Sequence, residues 1–327
     1  MTASHTATGD TNFTRTPEEL VGLLSSLRNN VSRVFLGKPE VVRLALVALL
    51  ADGHLLLEDV PGVGKTLLAK AIAKSLGCTF HRIQATPDLL PGDLIGTNVY
   101  NQTTSTFTFM PGPLFANIVL ADEINRATPR TQSALLEAMS EKQVTVDRDT
   151  FPLGPPFLVL ATQNPYEFEG TYPLPESQLD RFMLRLKVGY PDRKAERDIL
   201  LQHRGGEPVD ELKAVLNPND VVALQRYSRE SIVSVPVAEY LLDVVDATRE
   251  HPDIKLGAST RAALAYYRAC QALARIDGRD HVRPEDVKEL AVPVLAHRLM
   301  TKAWDQGGRD DAAPILHDIL SKTKVRI

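Results

Sequence analysis

Residues 58–66 read EDVPGVGKT and stand between a short apolar run, residues 55–57, and the helical stretch that follows them. A polyphosphate must be met by several backbone N–H donors at once, so the loop that binds it has to be rich in glycine. The first turn of the following helix adds a partial positive charge. The order of strand, glycine-rich loop and helix therefore predicts a P-loop that binds a polyphosphate.

Two side chains of this loop have specific expected roles. Lys65 would hold the β- and γ-phosphates, and Thr66 would ligate magnesium. The stretch departs from the general Walker A pattern G-x-x-x-x-G-K-[ST], because Asp59 stands where the first glycine is expected. The alternative is a glycine turn that caps a helix beside one exposed lysine. The preceding strand, together with Gly-Lys-Thr at the helix start, argues against that alternative.

The alternation of apolar runs with helical stretches indicates the fold class. Further short apolar runs lie at residues 80–83, 118–121, 157–161 and 183–188. Buried strands that alternate with helices favour a parallel sheet covered on both faces. Past Tyr190 the chain reads as helices without a convincing strand. We therefore predict a disordered polar tail (residues 1–15), an α/β nucleotide-binding core (residues 16–190) and a smaller helical domain (residues 191–327).

Polar side chains at the strand ends are the next candidates, because ligands of such sheets bind beyond the carboxyl ends of the strands. Asp122 and Glu123 directly follow the run at residues 118–121, in a Walker B pattern. Asp122 would hold magnesium through water, and Glu123 would polarise the attacking water. By itself an acid pair after a strand is just as often a helix start. The assignment therefore depends on the P-loop that accompanies it.

Asn164 and two arginines complete the candidate set. Asn164 follows the run at residues 157–161, and an amide there can align the water against the γ-phosphate, although Asn-Pro is also a common turn. Arg181 and Arg261 could stabilise the charge of the transition state, and such an arginine can be supplied by a neighbouring subunit. Most arginines form surface ion pairs of little energy. The local pattern alone would therefore not select these two.

The composition restricts the class of protein and its surroundings. The chain has 327 residues, of which 43% are hydrophobic and 24% charged, and its net charge of −4 gives no general attraction to nucleic acid or to anionic membranes. The most apolar segment, residues 41–57, is interrupted by Arg43, Asp52 and His54, so no membrane span is expected. Two cysteines and the lack of a signal peptide favour a reducing cytoplasm.

These segments, in this order, resemble the AAA+ superfamily of ATPases and, within it, the MoxR family. The segments that carry the resemblance are residues 59–66 (DVPGVGKT), 122–127 (DEINRA), 161–165 (ATQNP), 174–182 (LPESQLDRF) and 259–262 (STRA). The match covers nearly everything from residue 17 to about residue 300. Asp59 in place of the first glycine looks like a usual variant of that family.

The resemblance implies a fold and a role for each candidate residue. The fold would be a parallel sheet of strand order 5-1-4-3-2 between helices, with a C-terminal all-helical lid domain. Asn164 would be sensor 1, Arg181 the arginine finger that reaches a neighbour's nucleotide, and Arg261 sensor 2 on the lid. Residues 34–37 resemble the segment that packs around adenine. The residues then expected to contact ATP are Gly37, Val60, Pro61, Gly62, Val63, Gly64, Lys65, Thr66 and Leu67.

Two further segments resemble hairpins that the family adds to its core. Residues 87–111 fall where this group inserts a hairpin into its second helix, and residues 144–152 resemble the hairpin that precedes sensor 1. In the family these hairpins project toward the ring pore or its face and touch a substrate or partner. Ordinary surface loops are the alternative for both segments.

The function implied by the resemblance is magnesium-dependent hydrolysis of ATP to ADP and phosphate. MoxR-type proteins form rings, commonly hexamers, and act as chaperone-like remodellers or activators of proteins that carry a von Willebrand factor A domain. We therefore expect ATP and Mg²⁺ as cofactors, self-assembly into a ring, a partner with such a domain, and no nucleic acid.

Three other functions remain open. A DNA-directed AAA+ motor, such as a helicase of the MCM kind or a transcription activator, is disfavoured by the acidic balance and by the absence of a GAFTGA loop. The ATPase subunit of magnesium chelatase has a similar core, but this chain is shorter and has fewer insertions. A scaffold that binds ATP without significant turnover is opposed by the intact Glu123, Asn164 and Arg181. Measured phosphate release would separate a scaffold from an enzyme.

Overall fold

The computed structural model describes residues 15–164, 170–202, 206–303 and 312–325. The predicted tail, residues 1–15, therefore falls outside the described residues except for its last member. Within the described ranges, no helix combines the length and the apolar character that crossing a lipid bilayer requires.

The first helix begins at the capping signal that the sequence contains. The hydroxyl of Thr16 accepts the N–H of Glu19 at 3.3 Å, and the Glu19 carboxylate accepts the N–H of Thr16 at 2.9 Å, which is a capping box. In chain order the helices are α1 (Pro17–Ser32), α2 (Pro39–Leu50), α3 (Lys65–Ser75), α4 (Pro91–Ile95), α5 (Pro129–Glu141), α6 (Glu176–Leu179), α7 (Arg193–Gln202), α8 (Pro218–Arg229), α9 (Val235–Glu250), α10 (Thr260–Ile276), α11 (Pro284–Leu295) and α12 (Ala313–Lys322).

The strands coincide with the apolar runs of the first two thirds of the chain, and further short strands form hairpins or an isolated pair. In chain order they are β1 (Leu55–Glu58), β2 (Phe80–Gln84), β3 (Gly96–Asn101), β4 (Thr106–Pro111), β5 (Ile118–Asp122), β6 (Gln143–Val146), β7 (Asp149–Pro152), β8 (Leu158–Gln163), β9 (Leu184–Leu186), β10 (Ile254–Leu256) and β11 (Met300–Thr301).

Five of these strands form one parallel sheet, in the spatial order β2-β5-β8-β1-β9. Counted as strands 1 to 5 along the chain, they lie in the order 5-1-4-3-2, so the predicted topology is confirmed. Leu55 of β1 is in register with Leu160 of β8 on one side and with Leu184 of β9 on the other. The loop after β1 therefore leaves the sheet between β8 and β9.

The two faces of the sheet pack into two separate cores, because successive side chains of a strand point to opposite faces. Leu55 and Leu57 belong to a core that includes α1, α2, α3 and the helices after residue 190. Leu56 belongs to the other core, with α4, α5 and β6. Both faces are thus covered, as the continuous apolar runs predicted.

The two predicted hairpins are formed by β3 with β4 and by β6 with β7. They are fixed to each other, because Phe109 stacks on Phe151 with ring centroids 4.1 Å apart and Asn98 donates to Asp147 at 2.7 Å. Farther along the first hairpin, Tyr100 and Phe107 are exposed, with 50% and 71% of their surface accessible. The hairpin thus carries apolar side chains beyond the part that packs on the core.

The predicted lid is described at residues 191–202, 206–303 and 312–325. These residues are mainly helical, but the prediction of an all-helical lid needs one correction. Strands β10 and β11 form a short antiparallel pair that the all-helical prediction missed, because segments of three and two residues are too short to show an alternating pattern. Helix α10 packs on α2 and α8. Arg43 of α2 donates to Asp277 at the end of α10, Nε to Oδ1 at 2.8 Å, and to Glu289 of α11. The lid is therefore held against the helix that precedes β1.

Candidate active site

The backbone of the predicted P-loop depends on two glycines. Gly62 and Gly64 have φ angles of +84° and +91°, a conformation that residues with side chains rarely adopt. Gly64 directly precedes α3, so the loop runs into the first helical turn. A Cβ atom on Gly64 would lie 3.1 Å from the ring of Phe35. The glycines thus permit a tight turn whose N–H groups, with those of the helix start, can bind an anion.

Lys65 lies close to the predicted acid pair. Its side chain is buried, and the ammonium donates to the backbone carbonyl of Asp59 at 2.7 Å. Burial lowers the pKa of Lys65, while the nearby carboxylates of Asp122, Asp59 and Glu123 act in the opposite direction. The structure thus brings the lysine expected to bind phosphate together with the two carboxylates expected to serve the metal and the water.

Asp59 has a structural reason to replace the first glycine of the general pattern. Its carboxylate accepts the N–H of Val60 at 2.8 Å and the N–H of Gly189, just after β9, at 2.5 Å. Its own N–H donates to the carbonyl of Gln163 at 3.1 Å. Asp59 therefore ties the start of the loop to both strands that flank β1, and the contact with Gly189 beyond β9 needs the carboxylate, which glycine lacks.

The remaining residues expected to contact the nucleotide lie around this loop with different exposure. Thr66 stands in the first turn of α3, next to Lys65. Gly37 has a φ of +76°, and a Cβ atom there would lie 2.4 Å from the Cβ of Ala195 on α7. Phe35 brings the segment at residues 34–37 into contact with the loop. Pro61, Gly62 and Gly37 are exposed, Val63 is buried, and Val60, Gly64, Thr66 and Leu67 are half-buried.

Asp122, at the end of β5, is held by two neighbours. One carboxylate oxygen accepts from Arg82 of β2 at 2.7 Å, and the other accepts from the hydroxyl of Thr162 at 2.5 Å. The side chain of Asp122 retains only 12% of its accessible surface. These two contacts fix the carboxylate of Asp122 at the end of β5, and carboxylate oxygens are donors that can bind a cation.

Glu123 has a left-handed backbone, with a φ of +55°, which turns the chain sharply after the strand. Its N–H donates to the Thr162 hydroxyl at 2.8 Å. One carboxylate oxygen accepts from the Gln84 amide at 3.0 Å and lies 3.4 Å from Arg126. Thr162 of β8 therefore holds the backbone of Glu123, and Gln84 of β2 and Arg126 hold its side chain.

Sequence reasoning missed Arg82, Gln84 and Thr162. Each lies within hydrogen-bond distance of Asp122 or Glu123, and Arg82 also donates to Gln84 at 3.0 Å. The signal was available in the expected strand order, which places β2 beside β5. Gln84 is then level with Asp122, as the register shows. Polar residues at the end of a neighbouring strand could therefore have been assigned to the site.

Asn164 is positioned by the same set of strands. It directly follows β8, whose last residue, Gln163, accepts the N–H of Asp59 at the start of the P-loop. Asn164 therefore lies one residue from a direct contact with that loop. Pro165, the second residue of the predicted Asn-Pro pair, lies outside the described residues.

Arg181 lies toward the opposite end of the sheet from the P-loop. Arg181 comes just before β9, and the first residue of β9 is in register with the first residue of β1. The P-loop, in contrast, follows the last residue of β1. At a rise of roughly 3.3 Å per residue, the length of the strand alone separates the two by about 10 Å. Arg181 donates instead to the carbonyl of Leu136 on α5, at 2.8 Å.

Arg261 belongs to the lid and lies near Arg298. It is an exposed residue in the first turn of α10. Burial lowers the pKa of Arg298 to about 10; the nearby charge of Arg261 acts in the same direction, and that of Asp180 acts against both. Arg298 donates to Asp180, next to Arg181, at 2.8 Å. We call residues 180–183, Arg261 and Arg298 the arginine edge, and residues 59–67, Asp122, Glu123 and Asn164 the nucleotide edge.

Two family models match the chain. A model described as the ATPase family associated with various cellular activities (AAA) matches residues 54–184, and a model of the AAA lid domain matches residues 246–318. The first match contains the whole nucleotide edge together with Arg181, and the second contains Arg261 and Arg298.

Similar proteins span most of the chain. It is 47% identical over 310 residues to the uncharacterized protein YeaC of Bacillus subtilis, covering 95% of this chain and 97% of that one. It is 46% identical over 279 residues to the chaperone MoxR1 of Mycobacterium tuberculosis, covering 83% and 74% respectively. The crystal structure of a candidate ATPase from Cytophaga hutchinsonii superposes with a TM-score of 0.87 at 39% identity, over 95% of this chain and 97% of that one. The similarity thus extends over core and lid.

Proposed function

The chain belongs to the MoxR family of AAA+ ATPases, and on that basis we propose that it hydrolyses ATP to ADP and phosphate at the nucleotide edge. The observation that supports the proposal is that Lys65, at the end of the loop after β1, and Asp122 with Glu123, at the end of β5, follow strands of one parallel sheet. Burial lowers the pKa of Lys65, and the two carboxylates lie near enough to act in the opposite direction. A lysine that binds the γ-phosphate and an acid that activates water must serve the same phosphorus atom, so they have to lie at the same edge of the sheet.

In this proposal each predicted residue has one task. Gly37 and the main chain of residues 60–67 contact the nucleotide, and the ammonium of Lys65 offsets the charge of the β- and γ-phosphates. Glu123 polarises the attacking water, and Asn164 aligns that water with the γ-phosphate. Gln84 keeps the Glu123 side chain from turning away from this edge of the sheet.

Magnesium fits the donors that surround the phosphate position. Thr66 supplies a hydroxyl and Asp122 a carboxylate, the oxygen donors that Mg²⁺ takes together with phosphate oxygens. When bound, the ion would neutralise charge that builds up on the phosphates during transfer. The carboxylate of Asp122 lies near Lys65, so the donors proposed for the ion and for the phosphates lie at one edge of the sheet.

The arginine edge supports assembly into a ring. Arg181 is separated from the P-loop of its own subunit, so we assign it as an arginine finger for the nucleotide of a neighbour, and we assign Arg261 as sensor 2 on the lid. Such a head-to-tail contact closes into a ring when its rotation allows, and family resemblance favours a hexamer. Leu264, one helical turn from Arg261, is 56% exposed and offers apolar surface to that contact.

The ring would act on another protein rather than on nucleic acid. The relative from Mycobacterium tuberculosis carries the name chaperone, and the exposed Tyr100 and Phe107 of the first hairpin offer a surface for a polypeptide. We propose a partner with a von Willebrand factor A domain, in the cytoplasm, where the free cysteines Cys78 and Cys270 stay reduced. Capture of clients by the Glu123→Gln variant in ATP tests the partner. Salt-dependent retention on DNA would instead indicate a DNA motor.

The central experiment measures ATP turnover of two single variants and of their mixture. We expect Glu123→Gln and Arg181→Ala to bind ATP normally, and we expect each alone to lose at least about 100-fold in turnover. In mixed rings, an Arg181→Ala subunit keeps an intact acid pair and receives a finger from a Glu123→Gln neighbour. The mixture should therefore recover turnover.

The two controls are each variant mixed with wild-type protein, and native mass spectrometry to establish that mixed rings form. If mixed rings form and turnover does not return, Arg181 is not a finger supplied to a neighbour. If Glu123→Gln alone hydrolyses ATP at the wild-type rate, the catalytic role of the nucleotide edge is wrong.

A further inference from the structure

Arg298 binds the short turn that carries Arg181. Its side chain is almost fully buried, with 3% of its surface accessible. Its Nε donates to the Asp180 carboxylate at 2.8 Å, and Nη2 donates to the carbonyl of Phe182 at 2.7 Å. Nη1 donates to the carbonyl of Met183 at 3.2 Å. The residues on both sides of Arg181 are therefore held by one guanidinium from the lid.

The lid holds this turn through two adjacent side chains. His297 bonds through Nε2 to the carbonyl of Phe182, at 2.9 Å, and Arg298 also donates to the carbonyl of Val294 in the last turn of α11. The turn is thus fixed to the end of α11, more than 100 residues farther along the chain. A rotation of α11 would move the backbone that carries Arg181.

Arg181 itself points away from the lid. Its guanidinium donates to the carbonyl of Leu136, at 2.8 Å, and to the hydroxyl of Ser140 near the end of α5. The backbone of the turn is therefore bound by the lid, and the side chain it presents lies on the core. The direction of the side chain depends on how the lid holds the turn.

Burying the charged side chain of Arg298 costs desolvation free energy. Burial lowers the pKa of Arg298 to about 10, and replacing a buried ion pair by apolar residues is often neutral or stabilising. Packing alone therefore does not explain its presence. The planar guanidinium, however, binds one carboxylate and several carbonyl oxygens in one fixed arrangement, which neither lysine nor an apolar residue can reproduce.

We propose that Arg298, together with Asp180, is a positioning residue that aims Arg181 of the same subunit at the nucleotide of its neighbour. This inference rests on the proposed role of Arg181 as a finger. Arg261, the proposed sensor 2, lies close to Arg298. A change of lid position would then move Arg181 and Arg261 at once.

The test distinguishes two effects of losing Arg298. The change could impair the arginine finger that the altered subunit supplies to its neighbour, or it could impair the altered subunit's own nucleotide site. Arg298→Met rings should bind ATP within about twofold of wild type, keep their KM and lose at least about tenfold in kcat, because a misplaced catalytic group is costly. Mixing with Glu123→Gln should recover turnover, since that subunit supplies an intact finger. Mixing with Arg181→Ala should recover none. Arg298→Lys should lose nearly as much as Arg298→Met.

The matched control is Arg279→Met, which removes another lid arginine whose carboxylate partner, Asp286, is bound by two hydrogen bonds of 2.7 Å. It should keep most of its turnover. If Arg298→Met does not fold, Asp180→Asn in the same mixtures takes its place, with a smaller loss and the same pattern of recovery.

Two results would overturn the inference: full turnover by Arg298→Met, or a loss of turnover that Glu123→Gln cannot recover in mixed rings that bind ATP. If Arg181→Ala itself keeps full turnover, the proposed role of Arg181 as an arginine finger is wrong. The two failures are thus distinguishable.

Discussion

The nucleotide edge and the arginine edge are held by different kinds of contact. At the nucleotide edge, Lys65 binds the carbonyl of Asp59, six residues earlier, and two glycines shape the loop between them. At the arginine edge, Arg298 binds Asp180 across 118 residues of chain. The P-loop of the nucleotide edge is largely specified by a contiguous stretch of sequence, whereas the arginine edge exists only when core and lid are packed together.

This difference predicts how the two edges respond to change. Damage to the nucleotide edge should affect the subunit that carries it, and no neighbour should repair it. Damage to the arginine edge should affect the neighbour and be repairable from outside. The variants below test whether changes at each edge affect ATP affinity, turnover and stability as this difference predicts.

The largest effect is expected from Lys65→Ala. The change removes the charge that we propose faces the phosphates, and the carboxylates of Asp122 and Glu123 lose one of their nearby cations, so ATP affinity should fall by at least about 100-fold and turnover should be lost. Titration calorimetry with ATP and magnesium measures this. Lys74→Ala, on the same helix but in an exposed pair with Asp210, is the control and should bind normally. Mixing with any finger-competent subunit should not restore the altered site.

Glu123→Gln should show the next largest effect, and only on chemistry. Loss of the group that polarises the water should lower turnover by about 100- to 1000-fold, while ATP affinity stays within about twofold of wild type. Its amide can still meet Gln84 and Arg126, so the fold should not change. Phosphate release and nucleotide affinity, measured on one preparation, separate the two quantities. Equal losses in both would mean that Glu123 also supports binding.

The same contrast explains what the sequence could predict. The strand order, the P-loop and the acid pair follow from apolar runs and from short motifs with a family resemblance. The hydrogen bonds of Arg82 and Gln84 to the acid pair needed the register of β2 against β5. Arg298 could not be selected, because nothing near it in sequence marks a partner more than 100 residues away. The pair of β10 and β11 was missed because so few residues take part.

A smaller effect concerns two buried histidines that meet the backbone of the arginine edge. The carbonyl of His54 accepts the N–H of Met183 at 2.8 Å, and His297 bonds to Phe182. Burial lowers the pKa of His54 to about 4 and that of His297 well below its usual value. The unfolded chain then binds more protons below about pH 6.5, so stability is complete above that pH and falls as the pH is lowered.

From pH 6.5 to pH 5, His54 alone should reduce the free energy of unfolding by about 2 kcal/mol, and His297 should add to this. Urea unfolding at the two pH values measures the loss. In His54→Gln the amide can still donate to Met139 and accept from Val159, the two partners of the imidazole. Its stability should therefore depend less on pH. An unchanged pH dependence would mean that other groups cause it.

The variant with the smallest expected effect tests whether the P-loop is specified by its own segment alone. Asp59 makes this a question, because its carboxylate accepts the N–H of Gly189, 130 residues farther along the chain. Asp59→Gly restores the general Walker A pattern, so a purely local site should bind ATP at least as well. We expect the opposite: the N–H groups of Val60 and Gly189 lose their acceptor, which costs about 1 kcal/mol and lowers ATP affinity by about fivefold. Asp59→Asn, which keeps one acceptor oxygen, should lose about half as much. Unchanged affinity in both variants would mean that the loop holds its shape without this tie to β9, and that the P-loop is fully specified by its own segment.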